Sequence, residues 1–330
     1  MRNSSLLRLL RLLPPCLGLA IFTLCGWAIY QELSRYSLQE ILRSVQAISV
    51  FGLVGAIALV GVSYLTLTGY DTVAARFARC PLPYRRTALV ALLTYAISRS
   101  AGFSVVSGSA IRYRFYRRWG VSNLAIAQII AFCSLSFWVG LFGVGGALFW
   151  LAPPDLPANL YLFEPMMQRV GLIGLVVTAL YLGWSGLSHR SLRLGSWTVP
   201  RLPLPLAVAQ LGLTLLDWGL AAGILAMLLS GGSFEGLSYL NVLSVYLLAQ
   251  VVGVLSSVPG GLGVFETVVL ATLSPPLGAD RLLAALLVYR LIYFLLPLVT
   301  AIALLVAYEL RVRKPNAGEM EPPPEIGYGD

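Results

Sequence analysis

The apolar positions of this chain gather in long runs separated by short polar segments. A helix that crosses a membrane needs about 20 mostly apolar residues. Six stretches reach or approach that length: 12–30, 48–70, 124–151, 169–187, 204–229 and 282–309. Two further apolar regions, 87–111 and 240–275, are interrupted near their middles by Gly, Ser or Pro. The pattern predicts an all-α membrane protein with about six full transmembrane helices and two broken segments. The first break is expected around Gly102-Phe103-Ser104-Val105-Val106-Ser107-Gly108 and the second at Val258-Pro259-Gly260-Gly261-Leu262-Gly263.

Composition agrees. Of 330 residues, 58% are hydrophobic and 11% charged, and the mean hydropathy is +0.81. A soluble domain carries about a quarter charged residues, so a soluble enzyme, a coiled coil and a disordered chain are excluded. Cys16, Cys25, Cys80 and Cys133 show no metal-ligand spacing, and His189 is the sole histidine. Zinc sites and Ser-His-Asp triads therefore have almost no material to work with. The first apolar run follows Arg2, Arg8 and Arg11 like a signal peptide, but its cleavage signal is poor, and an uncleaved anchor is expected.

The 23 basic residues outnumber the 14 acidic ones. In a membrane chain such an excess marks cytoplasmic loops rather than nucleic-acid binding. Arg2, Arg8 and Arg11 place the N-terminus inside, as do Arg76, Arg79, Arg85 and Arg86 for the loop after 48–70. Arg112, Arg114, Arg117 and Arg118 form a third cluster, and Arg190, Arg193 and Arg201 a fourth. Arg311, Arg313 and Lys314 put the C-terminus inside, so 17 of the 23 basic residues fall on one side. Region 87–111 then lies between two cytoplasmic clusters and must enter and return on one side. Parity makes 240–275 do the same from the other side, so both are expected to be re-entrant helical hairpins. Span, hairpin and span thus occur twice in opposite orientation, an inverted-topology repeat whose broken segments point to the substrate site. Residues 1–314 form this unit; residues 315–330, rich in Pro, Glu and Gly, read as a disordered cytoplasmic tail.

Ionisable residues inside spans are costly and mark function. They are Arg99, Asp217, Glu266 and Arg290, with Asp71, Arg112, Arg114 and Glu309 at the boundaries. A helix restarting near Val264, after Pro259, Gly260, Gly261 and Gly263, would aim free N–H groups at a phosphate or carboxylate. The other reading of these glycines is a tight turn between packed helices. Glu266, directly after that loop, is expected to pair with Arg99, Arg112 or Arg290, as a fixed structural pair or as one that a polar headgroup opens. Asp217 has no charged neighbour in sequence. Ser107 and Gly108 lie at the first break. The alternation of Arg and aromatic residues from Arg112 to Trp119 suits headgroup anchoring.

Five strings occur in order: Leu67-Thr68-Gly69-Tyr70-Asp71, Leu82-Pro83-Tyr84-Arg85-Arg86, Ser107-Gly108-Ser109-Ala110-Ile111-Arg112-Tyr113-Arg114, Ala131-Phe132-Cys133-Ser134 and Val258-Pro259-Gly260-Gly261-Leu262-Gly263-Val264-Phe265-Glu266. Together they resemble the membrane region of MprF-type lysylphosphatidylglycerol flippase/synthases and its stand-alone relatives, over roughly residues 10–312. The resemblance implies a multi-pass bacterial inner-membrane protein that moves a polar lipid between leaflets. Full-length members add a cytoplasmic domain that transfers an amino acid from aminoacyl-tRNA to phosphatidylglycerol. No such domain is found in this sequence, so lysyltransferase activity is not expected.

The expected function is translocation of an anionic or aminoacylated lipid, with Arg99, Arg112 and Arg114 capturing phosphate and Glu266 as the switchable acid. No GxxxxGK[ST] pattern is present, and no cofactor or metal is expected. Membrane phospholipids are the expected partners, with a homo-oligomer and a separately encoded lipid-modifying enzyme as further candidates. Two alternatives stay open: an accessory subunit or membrane-embedded enzyme of lipid-linked group transfer, and a small-solute secondary transporter.

Overall fold

The computed structural model describes residues 48–80, 82–101, 104–156, 163–188, 192–194, 197–199, 202–231, 238–256 and 261–313, with isolated positions 39, 42, 43 and 46. The expected span at 12–30 and the tail at 315–330 lie outside these residues. The described chain is helical apart from one small hairpin. Helix α1 is Val50–Phe77, α2 Tyr84–Ala101 and α3 Ser104–Arg118. Helix α4 begins as Asn123–Gly140, passes through a π-helical turn at Leu141–Gly145 and ends as Gly146–Leu151. Helix α5 is Glu164–Leu187, and strands β1 (Leu192–Leu194) and β2 (Trp197–Val199) pair antiparallel with Arg193 opposite Thr198. Helices α6 (Leu204–Ser230), α7 (Tyr239–Leu255) and α8 (Val264–Leu277) follow. Helix α9 runs Ala279–Arg290, through a second π-helical turn at Leu291–Leu295, to Leu296–Arg313.

Five of these helices are long and apolar enough to cross a membrane: α1, α4, α5, α6 and α9. They coincide with five of the six stretches expected from the sequence. Their outward faces carry apolar side chains such as Phe51, Ile173 and Leu180, at 68%, 61% and 68% exposure. In water such faces would drive association; in a bilayer they are the lipid-facing surface. The small hairpin at 192–199 departs from the all-helical expectation. It lies in the loop where the sequence carries Arg190, Arg193 and Arg201, and no run of alternating residues long enough to announce a strand precedes it.

Helix ends follow local chemistry. Ser49 caps α1 by accepting from the Gly52 N–H at 3.0 Å, and its hydroxyl donates to the Gly231 carbonyl at 2.9 Å. Gly231, left-handed at φ 63°, ends α6, as glycine commonly does. One serine therefore fastens the start of α1 to the end of α6, and the two helices pack antiparallel. Helices α2 and α3 pack against each other as a pair, as do α7 and α8. Each pair also contacts the long helix before it: α2 against α1, and α7 against α6.

The first break is narrower than expected. Helix α3 begins at Ser104, so Ser107 and Gly108 are helical; residues 102 and 103, between the end of α2 and the start of α3, lie outside the described residues. Gly108 is there because α3 lies close to α2: a Cβ on it would sit 3.2 Å from Thr94 Cγ2 and 3.5 Å from Arg112 Nη1. The second break falls where expected, with Gly261 and Gly263 at φ 62° and 82° just before α8.

Close backbone approach also joins α4 to α5. A Cβ on Gly171 would fall 2.7 Å from the Trp150 amide nitrogen and 2.8 Å from the Gly146 carbonyl oxygen. Small residues at such crossings let membrane helices make extensive van der Waals contact. Gly171→Val is expected to lower the melting temperature in detergent, because the clash is with backbone. Gly183→Ala, where nothing lies within 4 Å, is the control and should leave it unchanged or slightly raised. Equal melting temperatures for Gly171→Val and wild type would contradict this packing.

Candidate functional site: a line of paired charges

The ionisable residues singled out in the sequence are all partnered. Arg112 of α3 grips Asp71 of α1 as a fork, Nε to Oδ1 at 2.9 Å and Nη2 to Oδ2 at 2.8 Å. The Tyr116 hydroxyl donates to the same Oδ1 at 2.8 Å. Arg99 of α2 gives both oxygens of Asp217 on α6 a hydrogen bond from Nη2, at 2.9 and 3.1 Å. Arg290 of α9 donates from Nε to Glu266 Oε1 of α8 at 2.6 Å. Arg114 of α3 donates from Nη2 to Glu309 near the end of α9 at 2.7 Å.

Two of these pairs join helices of the same half of the chain, Arg112–Asp71 and Arg290–Glu266. The other two, Arg99–Asp217 and Arg114–Glu309, cross between halves. Asp217 thus finds its partner 118 positions away, where sequence proximity gives no hint of it.

Burial ranks the pairs. Asp71 is fully buried and Arg112 nearly so, with side chains 0% and 7% exposed. Arg290 and Glu266 follow at 4% and 14%, Asp217 at 6% against 22% for Arg99. Arg114 and Glu309, at 15% and 21%, are the most evenly open pair. An isolated charge in an apolar interior costs several kcal/mol, which pairing with short, charge-assisted hydrogen bonds offsets.

Glu266 has a second contact. Its Oε2 accepts the N–H of Gly263 at 2.8 Å, the reach-back half of a capping box at the start of α8. The sequence suggested that this helix end would face a phosphate or carboxylate. The structure places the chain's own carboxylate there. Glu266 therefore holds the helix terminus with one oxygen and Arg290 with the other. Pro259 and Gly260 lie outside the described residues. Gly261 faces Gly253 of α7 at a distance that would still admit a Cβ, 3.8 Å, so its left-handed φ of 62° and not close packing is what calls for glycine.

Aromatic rings join the pairs. Arg112 lies 5.2 Å and Arg99 5.9 Å from the ring of Tyr95, which sits between them. Arg99 is also 5.2 Å from the ring of Tyr293 and donates from Nη1 to its hydroxyl. Tyr293 packs on Tyr289 at 5.1 Å, and Tyr289 stacks on Phe265 at 6.1 Å. Phe265 and Phe294 flank Arg290 at 5.9 and 4.8 Å. Cation–π contacts within about 6 Å are attractive and strengthen when desolvated. The result is an unbroken line, Arg112, Tyr95, Arg99, Tyr293, Tyr289, Phe265, Arg290, through the middle of the described bundle.

Tyr95, Tyr289 and Tyr293 escaped the sequence reading, which searched the spans for charges. So did Ser63, within 3.3 Å of the Tyr293 hydroxyl, and Tyr64, which donates to the Tyr293 carbonyl at 3.3 Å. Gln210 was missed too: fully buried on α6, it accepts from Tyr181 of α5 at 2.7 Å and donates to Ser136 of α4 at 2.8 Å. A polar group deep inside an apolar run was the available signal. Among the described residues, no cluster of His, Cys, Asp and Glu could hold a metal ion.

What the arrangement can do chemically follows from its neutrality. Three of the arginines expected to capture phosphate, Arg99, Arg112 and Arg114, already hold carboxylates, so an incoming anion must exchange with one. The Arg112–Asp71 pair is the least open to such exchange. Asp71→Asn should therefore destabilise the protein by about 3–5 kcal/mol by leaving a buried guanidinium without a counter-charge. Adding Arg112→Gln should recover more than half of that loss, as read from detergent unfolding midpoints. A double variant as unstable as the sum of its singles would mean that the pair is not coupled.

Comparison with known proteins agrees with this architecture. The family described as the lysylphosphatidylglycerol synthase TM region matches residues 16–301. An uncharacterized protein of Synechocystis, slr0712, is 45% identical over 312 residues, covering 93% of this chain and 96% of that protein. The inner membrane protein YbhN of Escherichia coli is 27% identical over 84% of this chain and 87% of its own length. A phosphatidylglycerol lysyltransferase of Staphylococcus xylosus is 23% identical over 90% of this chain, which spans only 34% of that enzyme. The chain is a multi-pass membrane protein and belongs to the lysylphosphatidylglycerol synthase transmembrane-region family.

Proposed function

We propose that this protein moves a polar lipid, anionic or aminoacylated, between the two leaflets of a bacterial inner membrane. The observation that carries this reading is the set of four buried or half-buried ion pairs, each bridging two helices and two of them bridging the halves of the chain. An arginine held by a carboxylate offers a lipid phosphate a place to which it can transfer without a bare charge being left in apolar surroundings. The carboxylate released from it is free to meet a cationic headgroup. Alternating exposure follows if the exchange loosens a cross-half pair such as Arg99–Asp217 while Glu266–Arg290 stays closed, and the reverse.

In this reading the helix pairs α2–α3 and α7–α8 are the two re-entrant hairpins of an inverted repeat, with α1 and α4 corresponding to α6 and α9. The first span, at 12–30, completes six, and both termini face the cytoplasm. The π-helical turns in α4 and α9 support the reading, because such turns concentrate at functional sites and the second one carries Tyr293. No nucleotide-binding motif is present, so movement is driven by an ion or proton gradient or runs downhill. The chain acts as a carrier and not as a transferase.

The test is exchange of headgroup-labelled phosphatidylglycerol, lysylphosphatidylglycerol and a neutral glycolipid in proteoliposomes. Wild type is expected to accelerate exchange of a charged lipid. The double variant Glu266→Gln/Arg290→Gln, which stays neutral and keeps an acceptor for the Gly263 N–H, should fold with a near-wild-type melting temperature. Its exchange should fall to the protein-free background. Wild-type exchange in that variant would remove this pair from the mechanism, and no exchange of any lipid by wild type would contradict transport of lipid altogether.

A further inference from the structure

A groove of about 500 Å3 opens between α1 and α6. None of the eight paired residues lines it, so it is distinct from the line of charges. Its walls are Leu65, Gly69 and Val73 of α1 and Gly212, Leu213 and Leu216 of α6. Leu65 and Leu216 are 62% and 56% exposed, which places the groove on the lipid-facing surface. Gly212 leaves this part of the groove open, since a Cβ on it would meet nothing within 4 Å.

One end of the groove is polar. Arg76 and Tyr84 both line it and both are exposed, and the Tyr84 hydroxyl is hydrogen-bonded to Thr68 Oγ1 at 2.8 Å. Among the described residues no carboxylate pairs with Arg76, in contrast to the four arginines inside the bundle. Arg79, Arg85 and Arg86 follow close by in sequence. From Leu65 to Arg76 the helix rises about 16 Å, close to half of a hydrocarbon core of about 30 Å. The apolar part of the groove is thus about one leaflet long, and its cationic end falls at the level of headgroup phosphates.

We propose that this groove is a binding site for one anionic phospholipid of the leaflet on the Arg76 side. An acyl chain lies over Gly212 between Leu65 and Leu216, and the phosphate meets the Arg76 guanidinium beside the Tyr84 hydroxyl. The neighbouring arginines favour an anionic headgroup over a zwitterionic one. The site seals the lipid-facing side of the α1–α6 contact and does not rest on the transport reading.

Native mass spectrometry of the full chain in mild detergent, titrated with phosphatidylglycerol or phosphatidylethanolamine, tests it. Wild type should retain one tightly held phospholipid and prefer phosphatidylglycerol. Gly212→Leu fills the groove with a good helix former and should lose that lipid while keeping its melting temperature. Arg76→Gln should still bind a lipid, with the preference for phosphatidylglycerol reduced about fivefold. Equal retention by wild type and Gly212→Leu would overturn the site. So would a wild type that holds no lipid, the result expected if residues 1–47 fill the groove instead. Because the readout is binding, a protein that moves no lipid could still pass this test.

Discussion

Electrical neutrality in an apolar interior is the constraint on which this structure depends. Four arginines, Arg99, Arg112, Arg114 and Arg290, are carried into the helical bundle, and each has a carboxylate oxygen within 2.6–2.9 Å. Where water is scarce, a lone guanidinium is costly and a paired one tolerable. Helices that bear these residues are therefore held in the register that brings Asp71, Asp217, Glu266 and Glu309 to meet them. The hydrophobic effect does little to choose among packings inside a lipid tail environment, which is as apolar as leucine. Specific polar contacts and close glycine crossings make that choice instead.

On the proposed transport reading, the same pairs that fix the fold are also the ones that let it change. Arg112–Asp71, sealed by Tyr116, behaves as a static anchor between α1 and α3. Arg99–Asp217 has a more open arginine and spans the two halves, so a shift of one half against the other acts first on it. Between these pairs the contacts are aromatic. Cation–π and ring–ring contacts vary less sharply with small displacements than a fork of hydrogen bonds, so on the proposed transport reading Tyr95, Tyr289, Tyr293 and Phe265 are the contacts that would keep an arginine covered while a neighbouring pair moves. The π-helical turn at Leu291–Leu295 aims Tyr293 at Arg99 and leaves α9 with a local departure from regular helix at that level.

Much of this was legible in the residue pattern. Five long helices fall where apolar runs of sufficient length occur, because length and hydropathy alone decide which segments suit a bilayer. The eight charges that matter were visible as charges in the wrong surroundings. Their pairing was only partly legible. Glu266 and Arg290, in adjacent helices, were a foreseeable match, whereas Arg99 and Asp217 meet only through the tertiary fold. The start of α8 was placed correctly at Val264, but its positive end is occupied by Glu266 because a carboxylate three residues inside the helix reaches back to Gly263. The tyrosines were overlooked because a buried phenol looks like any aromatic core residue until its hydroxyl has a partner. Ser107 and Gly108 sit in helix rather than in a loop, because the glycine serves packing against Thr94 and not chain reversal.

The central claim is that a cross-half pair is exchanged by the lipid and does more than hold helices together. A charge swap separates the two roles. Exchange of labelled lipid in proteoliposomes should be measured for Arg99→Asp/Asp217→Arg beside each single variant, together with melting temperatures. The account predicts that the swap recovers stability lost in the singles but not lipid movement, because the cation then projects from α6 instead of from α2. Recovery of stability and lipid movement together would contradict it and leave the pair with a purely structural role.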